Sequence, residues 1–174
     1  MRKLFTADVG SEIAEAALVL PLSFMILLGI YWFGRAFNTY ATINQAAREG
    51  VRVAIVQNCA TCGNSPPTGP QILAAVNSTL QASSVDPNQI VSYSPVYTFC
   101  NQLPQPSNCD TTTAVTICNN VLLQNINPSA TGLGAPVCGI AISFKYPYSF
   151  VVPFTSINNT TILLTADVQM AREF

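Results

Sequence analysis

One uncharged apolar run near the start of the chain limits what this sequence can fold into. The run extends from Ala16 to Gly34, about 19 residues, contains Pro21, and begins directly after Glu15. A helix rises ~1.5 Å per residue, so a run of this length can cross the hydrocarbon core of a bilayer. The sequence therefore predicts one membrane-spanning helix with a carboxylate at its entrance.

The segment before this run does not have the composition of a cleaved secretory signal. Residues 1–10 are short and polar, carry Arg2 and Lys3, and contain no apolar stretch of their own. The far end of the apolar run also lacks the small-residue pattern at which signal peptidase cleaves. We therefore expect the run to be retained as an anchor.

The helical pattern continues beyond the apolar run. No proline lies between Pro21 and Pro66, so nothing in the sequence interrupts a helix over that interval. Steps of three and four residues, the helical period, separate the apolar residues Phe37, Tyr40, Ile43, Ala47, Val51 and Ala54. We predict one long helix from about Ile13 to Gln57, membrane-spanning in its first half and amphipathic in its second.

The rest of the chain predicts a small domain of mixed structure. A short helix is expected over Gln71–Ala82, and alternating apolar residues indicate strands at Ile140–Tyr146 and Ile162–Met170. Weaker strand patterns occur at 90–93, 96–100 and 113–123. Strands with one apolar face need a partner layer, which the apolar stripe of the long helix can supply. The predicted fold is α+β, a long helix packed on an antiparallel sheet, with divisions at residues 1–10, 11–57 and 58–174.

Six cysteines, all downstream of the apolar run, indicate disulfide bonds formed in an oxidising compartment. They place the N-terminus in the cytoplasm and the C-terminal domain outside it. Six cysteines allow 15 connectivities, of which we expect the sequential one. The predicted bonds are Cys59–Cys62, Cys100–Cys109 and Cys118–Cys138.

Two other uses of the cysteines are weaker alternatives. A redox-active C-x-x-C normally opens a helix after a strand, whereas Cys59 and Cys62 follow a helix and lead into a proline-rich loop. A zinc site from these two cysteines and two later ones is disfavoured in an oxidising compartment and in a chain without histidine. No metal or cofactor is expected.

Composition excludes several classes of function. Without histidine the chain cannot form a Ser-His-Asp or Cys-His arrangement, and it has no glycine-rich phosphate loop. The net charge is −1 and no basic cluster follows Arg52, so nothing indicates nucleic-acid binding. Only 9% of residues are charged, and residues 53–166 contain just Asp86, Asp110 and Lys145. A surface with so little charge suits association with protein neighbours, but it equally fits an ordinary secreted protein whose surface has no special role.

Four motifs resemble the TadE-like minor pilins (pseudopilins) of the tight-adherence pilus system, within the type IV filament superfamily. The motifs are E-A-A-L-V-L-P (Glu15–Pro21), G-I-Y-W-F-G-R (Gly29–Arg35), Q-A-A-R-E-G-V-R (Gln45–Arg52) and D-V-Q-M-A-R-E (Asp167–Glu173). The N-terminal resemblance covers about 45 residues. The family commonly carries an aromatic residue after the glutamate, where this chain has Ala16.

The resemblance implies a non-enzymatic role in pilus assembly. It implies cleavage by a prepilin peptidase between Gly10 and Ser11, which would make Glu15 the fifth residue of the mature chain. In the superfamily the corresponding glutamate neutralises the free amine of a neighbouring subunit. The implied partners are other pilin subunits, the assembly platform and the bacterial inner membrane, and self-association is compatible with this role.

Two alternatives remain open at this point. The chain could be a major or adhesive structural pilin, exported into a surface pilus in many copies. It could instead be a periplasmic binding domain held by an uncleaved signal anchor, which would keep Met1 and need no prepilin peptidase.

Overall fold

The computed structural model describes residues 7–55, 67–100, 109–123, 137–149 and 161–171. The chain divides into two compact units, Met1–Asn38 and Thr39–Phe174. The predicted divisions at residues 10 and 57 stay predictions. We call Thr39–Phe174 the outer unit.

The first helix, α1, extends from Ala7 to Ile55 and passes through Pro21 without ending. The predicted long helix is thus confirmed, and it begins six residues earlier than expected. From Ile43 onward one side of α1 is buried, and the buried apolar residues are Ile43, Ala46, Ala47, Val51 and Ala54. Their spacing follows the helical period. The predicted stripe is shorter than expected, because Phe37 and Tyr40 are exposed.

The second helix, α2, extends from Gly69 to Ala82, and Ile72, Val76 and Leu80 are its buried face. Pro70 lies in the first turn, where its missing N–H costs no hydrogen bond. The side-chain oxygen of Gln71 accepts a hydrogen bond from the Thr68 backbone N–H at 3.0 Å, as in a capping box. This helix was predicted with the same three apolar residues.

Five antiparallel strands form one sheet. They are β1 (Val91–Ser92), β2 (Cys109–Asp110), β3 (Thr116–Leu122), β4 (Cys138–Ser149) and β5 (Thr161–Ala171). β4 is central: β5 pairs along its whole length, while β3 and β1 follow one another along its other edge. β2 pairs with the outer edge of β3. The predicted strand at 96–100 is reduced to a single bridge between Phe99 and Val121.

The main core lies between the helices and one face of the sheet. Buried residues of α1 and α2 pack there with Ile140, Ile142, Phe144 and Tyr146 of β4 and Ala166 of β5. The α+β architecture predicted from alternation is confirmed. Gly139 allows β5 to approach closely, since a Cβ atom at this position would collide with the carbonyl oxygen of Met170.

The opposite face of the sheet is also covered, which the sequence pattern did not predict. Cys118, Val121 and Ala141 form a second buried cluster, with Tyr97 and Phe99 packed against it. Ser143 is fully buried as well, and its hydroxyl donates a hydrogen bond to the Tyr93 carbonyl at 2.8 Å. Of the second face of the predicted β4 alternation, Ala141 and Ser143 are therefore interior and Lys145 is half-buried.

Candidate functional site

The predicted cleavage position lies within α1. Because the helix begins at Ala7, Gly10 and Ser11 belong to its first two turns and Glu15 lies more than two turns inside it. The carboxylate of Glu15 is exposed. A peptidase that binds its substrate as an extended chain must unwind the beginning of α1 to reach the Gly10–Ser11 bond. Glycine makes this easier, since it destabilises a helix by about 1 kcal/mol relative to alanine.

The segment from Ala16 to Gly34 exposes apolar side chains on every side of the helix. Leu18, Met25 and Phe33 are 72%, 75% and 75% exposed. A helix that is apolar all round and unburied matches a hydrocarbon environment rather than a protein core. Within the part of the chain that the structure describes, α1 is the one helix long and apolar enough to cross a membrane.

Pro21 and Ser23 lie within this apolar segment. Proline removes one backbone N–H from the helical hydrogen bonds, yet α1 continues through it. The hydroxyl of Ser23 donates to the Leu20 carbonyl at 2.8 Å, so this polar group has a partner within its own helix. In lipid such internal pairing is required, because hydrocarbon offers no hydrogen-bond partner.

Aromatic and cationic side chains meet at the far end of the apolar segment. The rings of Tyr31 and Trp32 lie edge to face with centroids 5.5 Å apart. The guanidinium carbon of Arg35 lies 6.0 Å from the centroid of Trp32, within range of a cation–π contact. Tyr and Trp are enriched where a membrane helix leaves the hydrocarbon, and a nearby Arg can extend its charged group to the interface.

The disulfide pattern corrects the sequential prediction. Cys100 is bonded to Cys138, and Cys109 to Cys118, so the bonds are nested rather than sequential. The reason is the sheet register, which places Cys109 directly opposite Cys118 on adjacent strands. The predicted bonds Cys100–Cys109 and Cys118–Cys138 are wrong, and the later cysteines are not thiolates that could join a zinc site. Cys59 and Cys62 lie outside the described residues, so their bond stays a prediction.

Two of the motifs quoted above meet at one groove of the outer unit. A cavity of about 540 Å³ is bounded by α1 on one side and by the end of β5 on the other. Its lining residues are Asn44, Arg48, Glu49, Arg52, Asp167, Val168, Gln169 and Met170. We call this surface the charged groove. Arg52 is 74% exposed and pairs with Glu49 at 3.8 Å, an arrangement that contributes only a few tenths of a kcal/mol.

Asp167 also joins the groove to the far face of the sheet. Its carboxylate accepts a hydrogen bond of 2.7 Å from the Tyr97 hydroxyl. Burial, together with this contact to Asp167, raises the pKa of Tyr97 well above its usual value of 10.0. The Tyr97 hydroxyl therefore stays neutral and holds Asp167 in place. No sequence signal indicated this contact between residues 70 positions apart.

In the described ranges no three His, Cys, Asp or Glu side chains converge as metal ligands would. The first unit contains an exposed apolar helical segment that follows Glu15. The described part of the outer unit contains the charged groove and the bonds Cys100–Cys138 and Cys109–Cys118.

The comparisons with known proteins concern the N-terminal part of the chain. Residues 10–52 match the family described as TadE-like protein. Neither curated proteins nor solved structures show significant similarity to this chain. The matched range begins at the predicted cleavage residue and ends at Arg52, the last α1 residue of the groove. Residues 10–52 are thus similar to the TadE-like family, and the resemblance predicted from the sequence is confirmed over that range.

Proposed function

We propose that this chain is a minor pilin (pseudopilin) that acts in assembly of a tight-adherence pilus, without enzymatic activity. One observation carries the proposal: the TadE-like range includes the helical segment Ala16–Gly34, which is apolar and exposed on all sides and directly follows Glu15. A retained apolar helix with one carboxylate suits lateral packing against other such helices. The carboxylate costs free energy in hydrocarbon unless a cation pairs with it.

The proposed route begins at the inner membrane. The N-terminus faces the cytoplasm, a prepilin peptidase cleaves between Gly10 and Ser11, and Glu15 then pairs with the free amine of a neighbouring subunit. The outer unit lies in the periplasm. The bonds Cys100–Cys138 and Cys109–Cys118 support an oxidising compartment for this unit. Other pilin subunits and the assembly platform are its proposed partners, and the charged groove is a surface through which it would contact them.

N-terminal sequencing of the membrane-extracted protein, produced with and without a prepilin peptidase, tests the first step. We expect Ser11 as the first residue only when the peptidase is present. The variant Gly10→Val should keep the leader, because a branched side chain replaces the glycine that lets the backbone enter the enzyme. A chain that begins at Met1 in the presence of the peptidase would exclude processing and favour the uncleaved anchor.

A second experiment separates processing from assembly. Glu15→Val should leave membrane insertion and cleavage intact, since it only removes a charge, but should abolish incorporation into the pilus machinery. Asp86→Asn is the control, because it neutralises an exposed carboxylate of the outer unit that does not line the charged groove. Normal assembly of Glu15→Val would exclude the role proposed for this carboxylate.

The weakly charged outer region favours one alternative, a major or adhesive pilin. The two roles differ in copy number. A structural pilin would be abundant in pili sheared from the cell surface, whereas a minor pilin would be rare or absent in that fraction and remain with the membrane.

A further inference from the structure

Two charged residues flank the apolar segment of the first unit, and their spacing along the helix equals the distance between the two surfaces of a bilayer's hydrocarbon core. Between Glu15 and Arg35 the helix carries no charge. The two residues are about 20 positions apart, which corresponds to ~30 Å of helix, the thickness of a typical hydrocarbon core. A span of this length is long enough to cross the core, and its depth then depends on the residues at its two ends.

The two ends of this span differ in chemistry. The Glu15 end carries a carboxylate among small residues, Ala14, Ala16 and Ala17. The other end carries the contact between Tyr31 and Trp32, with the Arg35 guanidinium beside the indole ring. Indole and phenol rings prefer the headgroup level, and an arginine nearby extends toward lipid phosphate. These three side chains are therefore an anchor for one membrane surface only.

We infer that Trp32 and Arg35 form a lipid-headgroup contact that sets how deep α1 lies in the bilayer, with the Arg35 guanidinium at the phosphates of the extracytoplasmic leaflet. This inference rests on the membrane location in the proposed function but not on processing or pilus assembly. It places Met25 at the midplane, since Met25 is midway between Glu15 and Arg35. Trp32 then lies ~10 Å from the midplane, and Glu15 lies at the cytoplasmic edge of the hydrocarbon.

Lipid is the occupant that the contacts favour for this end of the helix. Phe33 and Tyr31, on either side of Trp32, are 75% and 59% exposed, so the apolar surface around the arginine is open in the first unit. The hydroxyl of Ser23 bonds within the helix, so it does not need a polar partner from another protein. Packing against another protein helix is the competing occupant, and the experiment below separates the two.

The chain contains a single tryptophan, so its fluorescence reports the depth of Trp32 without labelling. The unprocessed full-length chain would be reconstituted into phosphatidylcholine vesicles containing lipids brominated either near the headgroup or near the end of the acyl chain. We expect lipids brominated near the headgroup to quench Trp32 several-fold more than those brominated deep in the chain. The variant Trp32→Phe/Met25→Trp moves the tryptophan to the inferred midplane and should reverse this order.

The role of Arg35 needs its own variants. Arg35→Leu lengthens the apolar segment and removes the headgroup contact, so Trp32 should move deeper and its quenching should shift toward the deep lipids. Arg48→Leu, which changes an arginine of the outer unit, should leave the depth unchanged. Solid-state NMR of protein with ¹³C-labelled arginine would detect dephasing by lipid ³¹P, which should be lost in Arg35→Gln and kept in Arg48→Gln.

Three results would overturn the inference. If the ratio of quenching by the two brominated lipids were the same for Trp32 and for the Trp32→Phe/Met25→Trp variant, Trp32 would not be near the surface. An unchanged depth in Arg35→Leu would show that the arginine does not set it. Quenching of Trp32 by neither lipid would show that protein, not lipid, surrounds it. Each result can occur whether or not Ser11 becomes the N-terminus, so failure here and failure of the proposed function are separate outcomes.

Discussion

Gly50 of α1 lies so close to Val76 of α2 that a Cβ atom on Gly50 would be 2.7 Å from Cγ2 of that valine. The same Cβ would be 3.2 Å from Cδ1 of Ile142 on β4. Gly50 is therefore a position at which α1 lies close to both α2 and the sheet. A glycine within a helical pattern can have such a packing reason, although it does not indicate the partner.

Substitution at Gly50 should destabilise the outer unit according to side-chain size. Gly50→Val should lower the free energy of unfolding by about 2 kcal/mol, because overfilling a packed core costs ~1–3 kcal/mol. Gly50→Ala should cost less, since alanine recovers ~1 kcal/mol of helix propensity. Urea unfolding of the full-length protein in detergent, followed by near-ultraviolet circular dichroism of its tyrosines, measures both. The double variant Gly50→Ala/Val76→Ala should lose less than the sum of the single losses, and strict additivity would contradict the contact.

The two disulfide bonds should contribute unequally to stability. Cys100–Cys138 closes a separation of 38 residues and Cys109–Cys118 one of 9. The loop-entropy relation then predicts a contribution of ~4 kcal/mol for the first bond and ~2.5 kcal/mol for the second. Replacing both cysteines of one bond by alanine, in turn for each bond, and measuring the free energy of unfolding in urea tests which bond contributes more. Peptide mapping without reduction should recover the nested pairs, and recovery of Cys100 with Cys109 would refute the strand register.

The Tyr97–Asp167 hydrogen bond should make stability depend on pH in the alkaline range. The pKa of Tyr97 is raised on folding, so above pH ~10 the unfolded chain loses this proton while the folded chain keeps it, and stability falls as pH rises. Tyr97→Phe removes the hydrogen bond, which should lower the free energy of unfolding by about 1 kcal/mol at pH 7. The variant also lacks the titrating hydroxyl, so its stability should not fall for this reason at alkaline pH. The difference in free energy of unfolding between the unsubstituted protein and the variant should therefore narrow or reverse near pH 11. A difference in free energy of unfolding that stays constant between pH 7 and pH 11 would contradict the role assigned to Tyr97. Tyr31→Phe, which changes a tyrosine of the first unit, is the control.

Charge reversal in the groove should separate binding from folding. Arg48→Glu/Arg52→Glu should reduce co-purification with partner pilins, because both arginines are exposed and line the groove. The change in stability should be within about 0.5 kcal/mol, as for most surface substitutions. Gln45→Glu is the matched control, because Gln45 is exposed on the same helix but does not line the groove. Undiminished co-purification of the double variant would remove the groove from the proposed contact surfaces.

The periodic spacing of apolar residues predicted those helices and strands that bury only one of their faces. The stripe from Ile43 to Ala54, the face of α2 and the core face of β4 follow the helical or strand period, so the sequence indicated them directly. Periodicity failed where a second layer covers the sheet, as at Ala141 and Ser143. Short polar or small residues on a strand resemble a solvated face unless the segment that covers them is known.

Pairings between distant residues could not be predicted for a related reason. The Cys109–Cys118 bond follows from the register of β2 on β3, and the Tyr97–Asp167 hydrogen bond joins an irregular segment to β5. A single sequence contains no information on register when the strand has only two residues, as β2 does. The charged groove is a similar case, since its two halves are about 115 residues apart in the chain.

The central position of β4 determines when the outer unit can fold during synthesis of the chain. The buried side of α1 ends at Ala54, but the strand that covers it begins at Cys138, about 84 residues later. Until that strand has been synthesised, the apolar side of α1 cannot pack on β4 and Cys100 cannot bond to Cys138. Folding of the outer unit must therefore follow synthesis of most of the chain, because its core and one of its disulfide bonds both depend on contacts between distant residues.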